Sequence, residues 1–347
     1  MPQRLLNPEE LLAWVDRLLP GYRVVAPVRE GEGRFFLRPI GGAQEMDLSV
    51  TRTVNSLKEY FFPPTEAIVQ IRRGKTAVRL EVPVPEERQL LFAVRPCDAA
   101  ALASMDALFL GDPADPYYGA RRRQSVLVGL ACLEVPTPEC FCTTTGGSPI
   151  GTANLDLILY RVPEGYIVEA LTPRGEELFQ EASGRPVEPP FRPQAPGLPA
   201  YPCPPQEDWI RVFTDPLWEE LGERCLGCKI CTYVCPTCYC FDIRDRGAGG
   251  RVERLRAWDA CTSKHYSVEA SGHDPRPTRG TRLRNRFCHK YYYFPWRYQG
   301  TLLCSGCGRC VAACPVNIDL TEVLEEVATR SRVDRSSGRN QAQGLDH

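Results

Sequence analysis

Apolar residues along the first half of the chain repeat with two periods, one typical of helices and one typical of strands. Beyond Asn7 and Pro8, apolar residues fall on one face of a helix that Asn7 can cap. Residues 22–28 and 34–39 alternate as a strand pair does, and strand and helix patterns then follow one another. We therefore predict an α/β domain over residues 1–184.

Two apolar strands of this domain are predicted to end in loops that carry cysteines. Residues 89–94 form a strand that leads to Cys97, and Asp98 is placed to cap the helix behind it. Residues 125–131 form another strand, which leads to Cys132. The carboxyl ends of strands are where α/β folds usually bind ligands, so both cysteines are candidates for a site.

A proline-rich stretch over residues 185–206 separates the two halves of the chain. Nine prolines lie between Gly184 and Pro205 without an apolar period, which predicts a semi-rigid linker. Beyond it, residues 207–330 are predicted to form a largely helical domain. The polar residues 331–347 are predicted to be a disordered tail. The fold class predicted for the whole chain is α+β.

Two cysteine runs dominate the second domain. Residues 225–236 read Cys-Leu-Gly-Cys-Lys-Ile-Cys-Thr-Tyr-Val-Cys-Pro, and residues 304–315 read Cys-Ser-Gly-Cys-Gly-Arg-Cys-Val-Ala-Ala-Cys-Pro. Both follow the bacterial [4Fe-4S] spacing C-x2-C-x2-C-x3-C-P, in which the fourth cysteine of each run binds the other run's cluster. One predicted cluster has as its ligands Cys225, Cys228, Cys231 and Cys314. The other has as its ligands Cys304, Cys307, Cys310 and Cys235.

Zinc and reduced buried thiols are the alternative interpretations of these runs. Zinc sites close with four ligands, commonly as two C-x2-C pairs, and have no need of the x3-C-P ending. The repeated ending therefore favours iron–sulfur clusters. The second domain is accordingly predicted to be of the two-[4Fe-4S] ferredoxin type, with a long insert between the runs.

The four cysteines of the first domain form a separate candidate site. They follow strand ends or lie in loops: Cys97, Cys132, Cys140 and Cys142. One interpretation is a third [4Fe-4S] cluster held by all four, with the amides of Gly146 and Gly147 donating hydrogen bonds to its sulfurs. The other is inert buried thiols, because free cysteine is often part of a core and this spacing follows no standard run.

Three further cysteines beyond the first run, Cys238, Cys240 and Cys261, allow two interpretations. They could bind a further metal or serve as alternative ligands of a cluster. They could equally be packed thiols that shield a cluster from water, and we favour this second interpretation.

The insert between the runs is basic and aromatic. Residues 251–298 hold eleven Lys or Arg against four Asp or Glu, and residues 291–296 are a block of aromatic side chains around one proline. Such a composition could bind single-stranded nucleic acid. We favour a different role, because positive groups near an anionic cluster stabilise the added electron and can dock an acidic redox partner.

Net charge and hydropathy limit the class of protein. A net charge of −1 over 347 residues argues against nucleic acid or a membrane surface as the main partner. No stretch approaches the roughly 20 apolar residues that cross a bilayer, and the amino terminus shows no secretory signal. With 17 cysteines and no signal, we predict a cytoplasmic protein whose thiols bind metal rather than form disulfides.

Several motifs of this sequence together resemble one known family. They are Val94-Arg-Pro-Cys-Asp-Ala-Ala-Ala-Leu102, Cys140-Phe-Cys142, Cys235-Pro-Thr-Cys-Tyr-Cys-Phe-Asp242, Trp258 to Cys261, Arg282-Leu-Arg-Asn-Arg286 with His289-Lys290, and Cys304-Ser-Gly-Cys-Gly-Arg-Cys310. On these motifs, the chain resembles the iron–sulfur β-subunit family of cytoplasmic NiFe hydrogenases of the sulfhydrogenase type. That family includes the A subunit of anaerobic sulfite reductase.

The resemblance implies an electron-transfer subunit that carries [4Fe-4S] clusters and performs no bond chemistry of its own. One implied partner is an FAD-containing, NAD(P)H-binding subunit of the diaphorase type. The other is a catalytic subunit, either the small and large subunits of a NiFe hydrogenase or the catalytic subunit of a sulfite reductase.

Two other functions stay open at this point. One is a self-contained catalyst of the heterodisulfide-reductase kind, against which the lack of a Cys-Cys-Gly motif speaks. The other is a redox-sensing nucleic-acid binder that uses the basic insert, against which the near-neutral charge of the whole chain speaks.

Overall fold

The computed structural model describes residues 2–74, 76–248 and 250–337. Its strands are β1 (Gln3–Leu6), β2 (Arg23–Arg29), β3 (Phe35–Pro39), β4 (Thr65–Arg73), β5 (Val78–Glu81), β6 (Gln89–Val94), β7 (Ser125–Leu130), β8 (Leu157–Val162), β9 (Gly165–Ala170), β10 (Arg185–Pro186), β11 (Phe241–Ala248) and β12 (Arg251–Trp258). Its helices are α1 (Pro8–Leu18), α2 (Lys58–Phe61), α3 (Pro96–Phe109), α4 (Pro116–Gln124), α5 (Pro173–Gln180), α6 (Gln206–Arg211), α7 (Leu217–Arg224), α8 (Ile230–Tyr233), α9 (Arg279–Cys288), α10 (Phe294–Arg297), α11 (Arg309–Ala312) and α12 (Leu320–Ser337). Short 3-10 turns lie at Ala43–Glu45 and Cys142–Thr145, and a π-helical turn lies at His289–Tyr293.

The first helix begins where the sequence predicts. The amide of Glu10 donates to Asn7 Oδ1 at 2.9 Å, and the amide of Asn7 donates to Glu10 Oε2 at 2.8 Å. This reciprocal pair satisfies two amides that the first turn of a helix leaves unpaired. The predicted hairpin that follows is also present, as the antiparallel pair β2 and β3.

An eight-stranded mixed sheet forms the centre of the first half. Its strand order is β10-β1-β9-β8-β7-β6-β2-β3. The pairs β2–β6, β6–β7 and β7–β8 are parallel, and the outer pairs are antiparallel. Because β6 and β7 are parallel neighbours, their carboxyl ends lie at the same edge of the sheet. The segments after them carry Cys97 and Cys132.

Both faces of this sheet are covered, which explains why β6 and β7 are continuous apolar runs. On one face, Trp14 of α1 is fully buried and its indole N–H donates to the carbonyl of Leu178 at 3.1 Å. On the other face, Leu102 and Met105 of α3 belong to the same buried cluster as Leu91 of β6. Each such side chain stabilises the fold by roughly 1.5–3 kcal/mol when fully buried.

A second sheet joins the two halves of the chain. Its order is β11-β12-β4-β5, antiparallel throughout, and it pairs two strands of the insert with two strands of the first half. Arg256 of β12 is buried and forms ion pairs with Glu66 and Asp115. The hairpin β11–β12 is therefore an exception to the largely helical character predicted for residues 207–330.

The linker is irregular, and a long helix follows the second cysteine run. Residues 187–205 contain no helix or strand, as their proline content favours. Helix α12 continues to Ser337, past the predicted start of the tail at residue 331. Residues 338–347 lie outside the described residues, so their disorder stays a prediction. None of the described helices combines the length and the apolar content that crossing a bilayer requires.

Candidate iron–sulfur sites

The first cysteine run forms a loop behind α7, and its cysteines surround a cavity. Gly227 and Lys229 take left-handed conformations, with φ of +68° and +67°, which turn the loop back on itself. Cysteines of both runs line the cavity: Cys225, Cys228, Cys231, Cys310 and Cys314. Cys314 thus lines the same cavity as the first three cysteines of the other run, and the exchange of fourth ligands stays a prediction. We call Cys225, Cys228, Cys231 and Cys314 the first group.

A buried arginine faces this cavity, and it forms no ion pair with any Asp or Glu whose side chain is described. Arg286 of α9 is 4% exposed, and its Nη2 donates to the carbonyl of Cys231 at 3.5 Å. Its Nε has no hydrogen-bond partner in the part of the chain that the structure describes. Burial lowers the pKa of Arg286, but Cys231 and Cys310 outweigh this and raise it. Such a cation needs a nearby negative charge, and an anionic [4Fe-4S] cluster would fit that need.

The second group consists of Cys304, Cys307, Cys310 and Cys235. Around Cys235, Lys290 Nζ lies 3.3 Å from the sulfur and Thr237 Oγ1 lies 3.2 Å from it. A hydrogen bond from the neighbouring Cys238 thiol and the Lys290 ammonium lower the pKa of Cys235 well below its ordinary value. The Lys290 ammonium and the Thr237 hydroxyl both lie within hydrogen-bond distance of the Cys235 sulfur.

The other members of the second group are close enough to interact with Cys235. Burial raises the pKa of Cys307 to about 12, and Cys235 and Cys310 contribute to this rise. Burial also raises the pKa of Cys304, and the same two cysteines add to it. Burial and the adjacent Cys304 raise the pKa of Tyr291, and its buried hydroxyl has no hydrogen-bond partner among the described residues.

The third group consists of the four cysteines of the first half, which surround one cavity. It is lined by Cys97, Cys132, Cys140 and Cys142, together with Cys307 of the second group. The parallel pairing of β6 and β7 places the first two side by side, and the loop behind β7 brings back the other two. Arg95 Nη1 lies 3.7 Å from Cys132 Sγ, and Thr137 Oγ1 lies 3.4 Å from Cys140 Sγ.

The two glycine amides predicted to bind sulfur at this site have other partners. Gly146 N donates to the carbonyl of Thr143 at 3.2 Å, and Gly147 N donates to the carbonyl of Cys142 at 2.9 Å. Both amides therefore close the turn behind Cys142, and the prediction that they donate to cluster sulfurs was wrong. Arg95 contacts the third group instead.

The second and third groups touch through the loop of the second run. Phe141 N donates to the carbonyl of Gly306 at 2.9 Å. A Cβ at Gly306 would lie 2.5 Å from Cys142 Cα, and the φ of Gly306 is +62°, so only glycine fits here. Because Cys307 follows directly, this close approach brings one cysteine of the second group to the third cavity.

Asp98 has a different role from the helix cap that the sequence predicts. Helix α3 begins at Pro96, which places Asp98 inside its first turn. Its carboxylate accepts two hydrogen bonds of 2.6 Å from Arg309 of the second run, and both side chains are 2% exposed. The prediction of a cap was therefore wrong, and the pair instead fastens the second run to the first half of the chain.

Cys238, Cys240 and Cys261 are buried beside the second group. A hydrogen bond with Cys261 lowers the pKa of Cys240 to about 6, and the buried amine of Lys58 lies close to both Cys238 and Cys240. These contacts are compatible with packed thiols and with metal ligands, so both interpretations of the three cysteines stay predictions.

No three His, Cys, Asp or Glu side chains within residues 2–74, 76–248 and 250–337 are grouped as they would be around one metal ion. A cubane differs from such a site, because its four thiolates bind four separate iron atoms.

The fold and its cysteine groups define an iron–sulfur protein of the electron-transfer class. A family described as a 4Fe-4S dicluster domain matches residues 224–318, which include both runs, so the chain carries two [4Fe-4S] clusters. Sulfhydrogenase 2 subunit beta of Pyrococcus furiosus is 30% identical to the chain over 335 residues, which cover 93% of this chain and 97% of that protein. The chain belongs to this iron–sulfur β-subunit family of hydrogenases. No solved structure matches it.

Proposed function

We propose that this chain is an electron relay within a hydrogenase-type complex. The observation that carries the proposal is the row in which its three cysteine groups lie. Cys310 belongs to the second group and lines the cavity of the first, whereas Cys307 belongs to the second group and lines the cavity of the third. The second group therefore stands between the other two.

Both ends of this row lie near the protein surface. At the first group, Cys228 is exposed. At the third group, Cys97 and Cys140 are partly exposed, and Cys132 also lines an open groove at the carboxyl edge of the large sheet. A row of sites that reaches two separate surfaces suits a protein that accepts electrons from one partner and delivers them to another.

The proposed ligands are the cysteines of the three groups. They are Cys225, Cys228, Cys231 and Cys314 for the first cluster, Cys304, Cys307, Cys310 and Cys235 for the second, and Cys97, Cys132, Cys140 and Cys142 for a third. When bound, each [4Fe-4S] cluster takes up and releases one electron. The chain itself holds the thiolates and places buried cations such as Arg286 beside them.

The family of the chain and its proposed role as an electron relay indicate which subunits it binds. The relative's name, sulfhydrogenase subunit beta, supports hydrogenase subunits on the catalytic side. We propose an FAD-containing, NAD(P)H-binding subunit of the diaphorase type on the other side, with a sulfite reductase catalytic subunit as the alternative to the NiFe subunits. A cytoplasmic location belongs to the same proposal. Anaerobic purification of the chain, with identification of the bound subunits, tests the proposed partners. A chain that purifies without a redox subunit would contradict the proposed relay.

Iron content tests the third cluster. Anaerobically reconstituted protein is expected to bind about twelve iron and twelve sulfide, because three cubanes contain four of each. The double variant Cys132→Ala and Cys142→Ala is expected to fall to about eight of each, since two ligands of the third group are lost. Iron and sulfide assays, together with the visible absorption of the clusters, provide the measurement.

A matched control for this experiment is Cys203→Ala, because Cys203 is exposed and belongs to none of the three groups. It is expected to keep the full iron content. About eight iron in the unaltered protein would show that the third group consists of inert thiols. Stoichiometric zinc without cluster absorption would contradict the relay as a whole.

A further inference from the structure

Lys290 is a buried amine of the second group that no carboxylate balances. Its side chain is 1% exposed, and it forms no ion pair with any Asp or Glu whose side chain the structure describes. Its Nζ lies 3.3 Å from Cys235 Sγ, 3.1 Å from Thr237 Oγ1 and 2.9 Å from the carbonyl of Leu303. These three acceptors match the three N–H bonds of an ammonium, so its position is fully determined.

The π-helical turn at His289–Tyr293 accounts for the inward direction of this side chain. Within that turn, the successive residues Lys290 and Tyr291 are both fully buried. The carbonyl of Lys290 accepts a hydrogen bond of 3.0 Å from the amide of Leu303, the residue just before the second run. Single π-helical turns inside helices are frequent at functional sites.

The positive charge of the buried Lys290 ammonium indicates that the group beside it is anionic. An ammonium held away from water is costly unless a negative charge lies beside it. A cubane bound by four thiolates carries such a charge, and gains one more negative charge on reduction.

We propose that Lys290 raises the reduction potential of the second cluster by donating an N–H···S hydrogen bond to its ligand Cys235 beside a fixed positive charge. The inference rests on the proposed function, because it takes Cys235 as a ligand. Hydrogen bonds to cluster sulfurs and nearby charge are among the factors that set such potentials. Both stabilise the reduced, more negative form more strongly than the oxidised form. Lys290 keeps its proton throughout, and only one electron enters.

Redox titration of the reconstituted chain, followed by electron paramagnetic resonance, tests this role. Lys290→Met removes both the charge and the donor, whereas Lys290→Gln removes the charge and keeps an N–H donor. In the Met variant, the equilibrium constant for reduction of one cluster is expected to fall at least tenfold, about 59 mV for a one-electron couple. The Gln variant is expected to lie between the Met variant and the unaltered protein.

The matched control is Lys264→Met, which removes an exposed lysine of the insert that belongs to neither cysteine run. Its titration is expected to match that of the unaltered protein. Full iron content with unchanged potentials in Lys290→Met would overturn the proposal, because a purely structural lysine leaves the potential alone. An equal fall of every cluster's potential would also overturn it.

A second measurement covers the case in which Lys290→Met fails to fold. The chain has five lysines, so protein labelled with ¹⁵N-lysine can be examined in the reduced state by pulsed nuclear double resonance. A ¹⁵N coupling that disappears in Lys290→Gln supports the hydrogen bond, and its absence from the labelled, fully loaded protein refutes it. Protein that takes up no iron at all refutes the proposed relay, and this inference with it.

Discussion

Alanine at both Cys225 and Cys314 is expected to remove only one of the two clusters of the dicluster domain. These residues belong to different runs but line the same cavity, so both substitutions damage the first cluster. The loss is expected to be about four iron atoms relative to the unaltered protein. Iron and sulfide assays after anaerobic reconstitution measure it.

The matched control is the pair Cys225→Ala and Cys235→Ala, two changes within one run. If the fourth ligands are exchanged between the runs, this pair damages both clusters and about eight iron atoms are lost. If each run instead bound its own cluster, the two double variants would give the opposite losses. The comparison therefore decides the ligand sets without a crystal structure.

Breaking the ion pair between Asp98 and Arg309 is expected to give the largest loss of stability among the charged contacts. Arg309→Met leaves the carboxylate of Asp98 buried without a cation, which costs about 3–5 kcal/mol in the free energy of unfolding. Both side chains are 2% exposed, so water cannot take over the lost bonds. Urea unfolding of the anaerobic, cluster-loaded protein, followed by circular dichroism, measures the shift of the midpoint.

Two variants make this second test specific. Asp98→Leu combined with Arg309→Met is expected to recover much of the loss, because an apolar pair of similar volume needs no charge partner. Arg246→Met is the control for a surface pair, since Arg246 is 72% exposed, and it is expected to change stability by about 0–1 kcal/mol. Equal midpoints for Arg309→Met and Arg246→Met would show that the buried pair does not hold the two halves together.

Local sequence was sufficient for the elements and for the two runs. The cap at Asn7 and the strand β6 both depend on residues within a few positions of one another. The spacing of the runs is equally local, since three cysteines three residues apart reach one cubane from one loop. Such features can be read from the sequence because neighbouring residues alone determine them.

The contacts between the halves could not be read in this way. Asp98 and Arg309 stand 211 residues apart, and Arg256 and Glu66 stand 190 apart, so neither pair leaves a local pattern. The sequence did not predict the hairpin β11–β12, because the strand that pairs with it, β4, lies in the other half of the chain. Burial of Lys290 and Arg286 was missed because periodicity places charged residues at the surface.

The sequence by itself thus determined the family, the α+β class and the two [4Fe-4S] clusters, because each depends on spacing along the chain. Only the tertiary structure decided that the third group shares one cavity and adjoins Cys307. It also decided that a buried ammonium lies 3.3 Å from Cys235 Sγ. The physical reason is that charge balance and packing act through space, between residues that the chain separates by dozens or hundreds of positions.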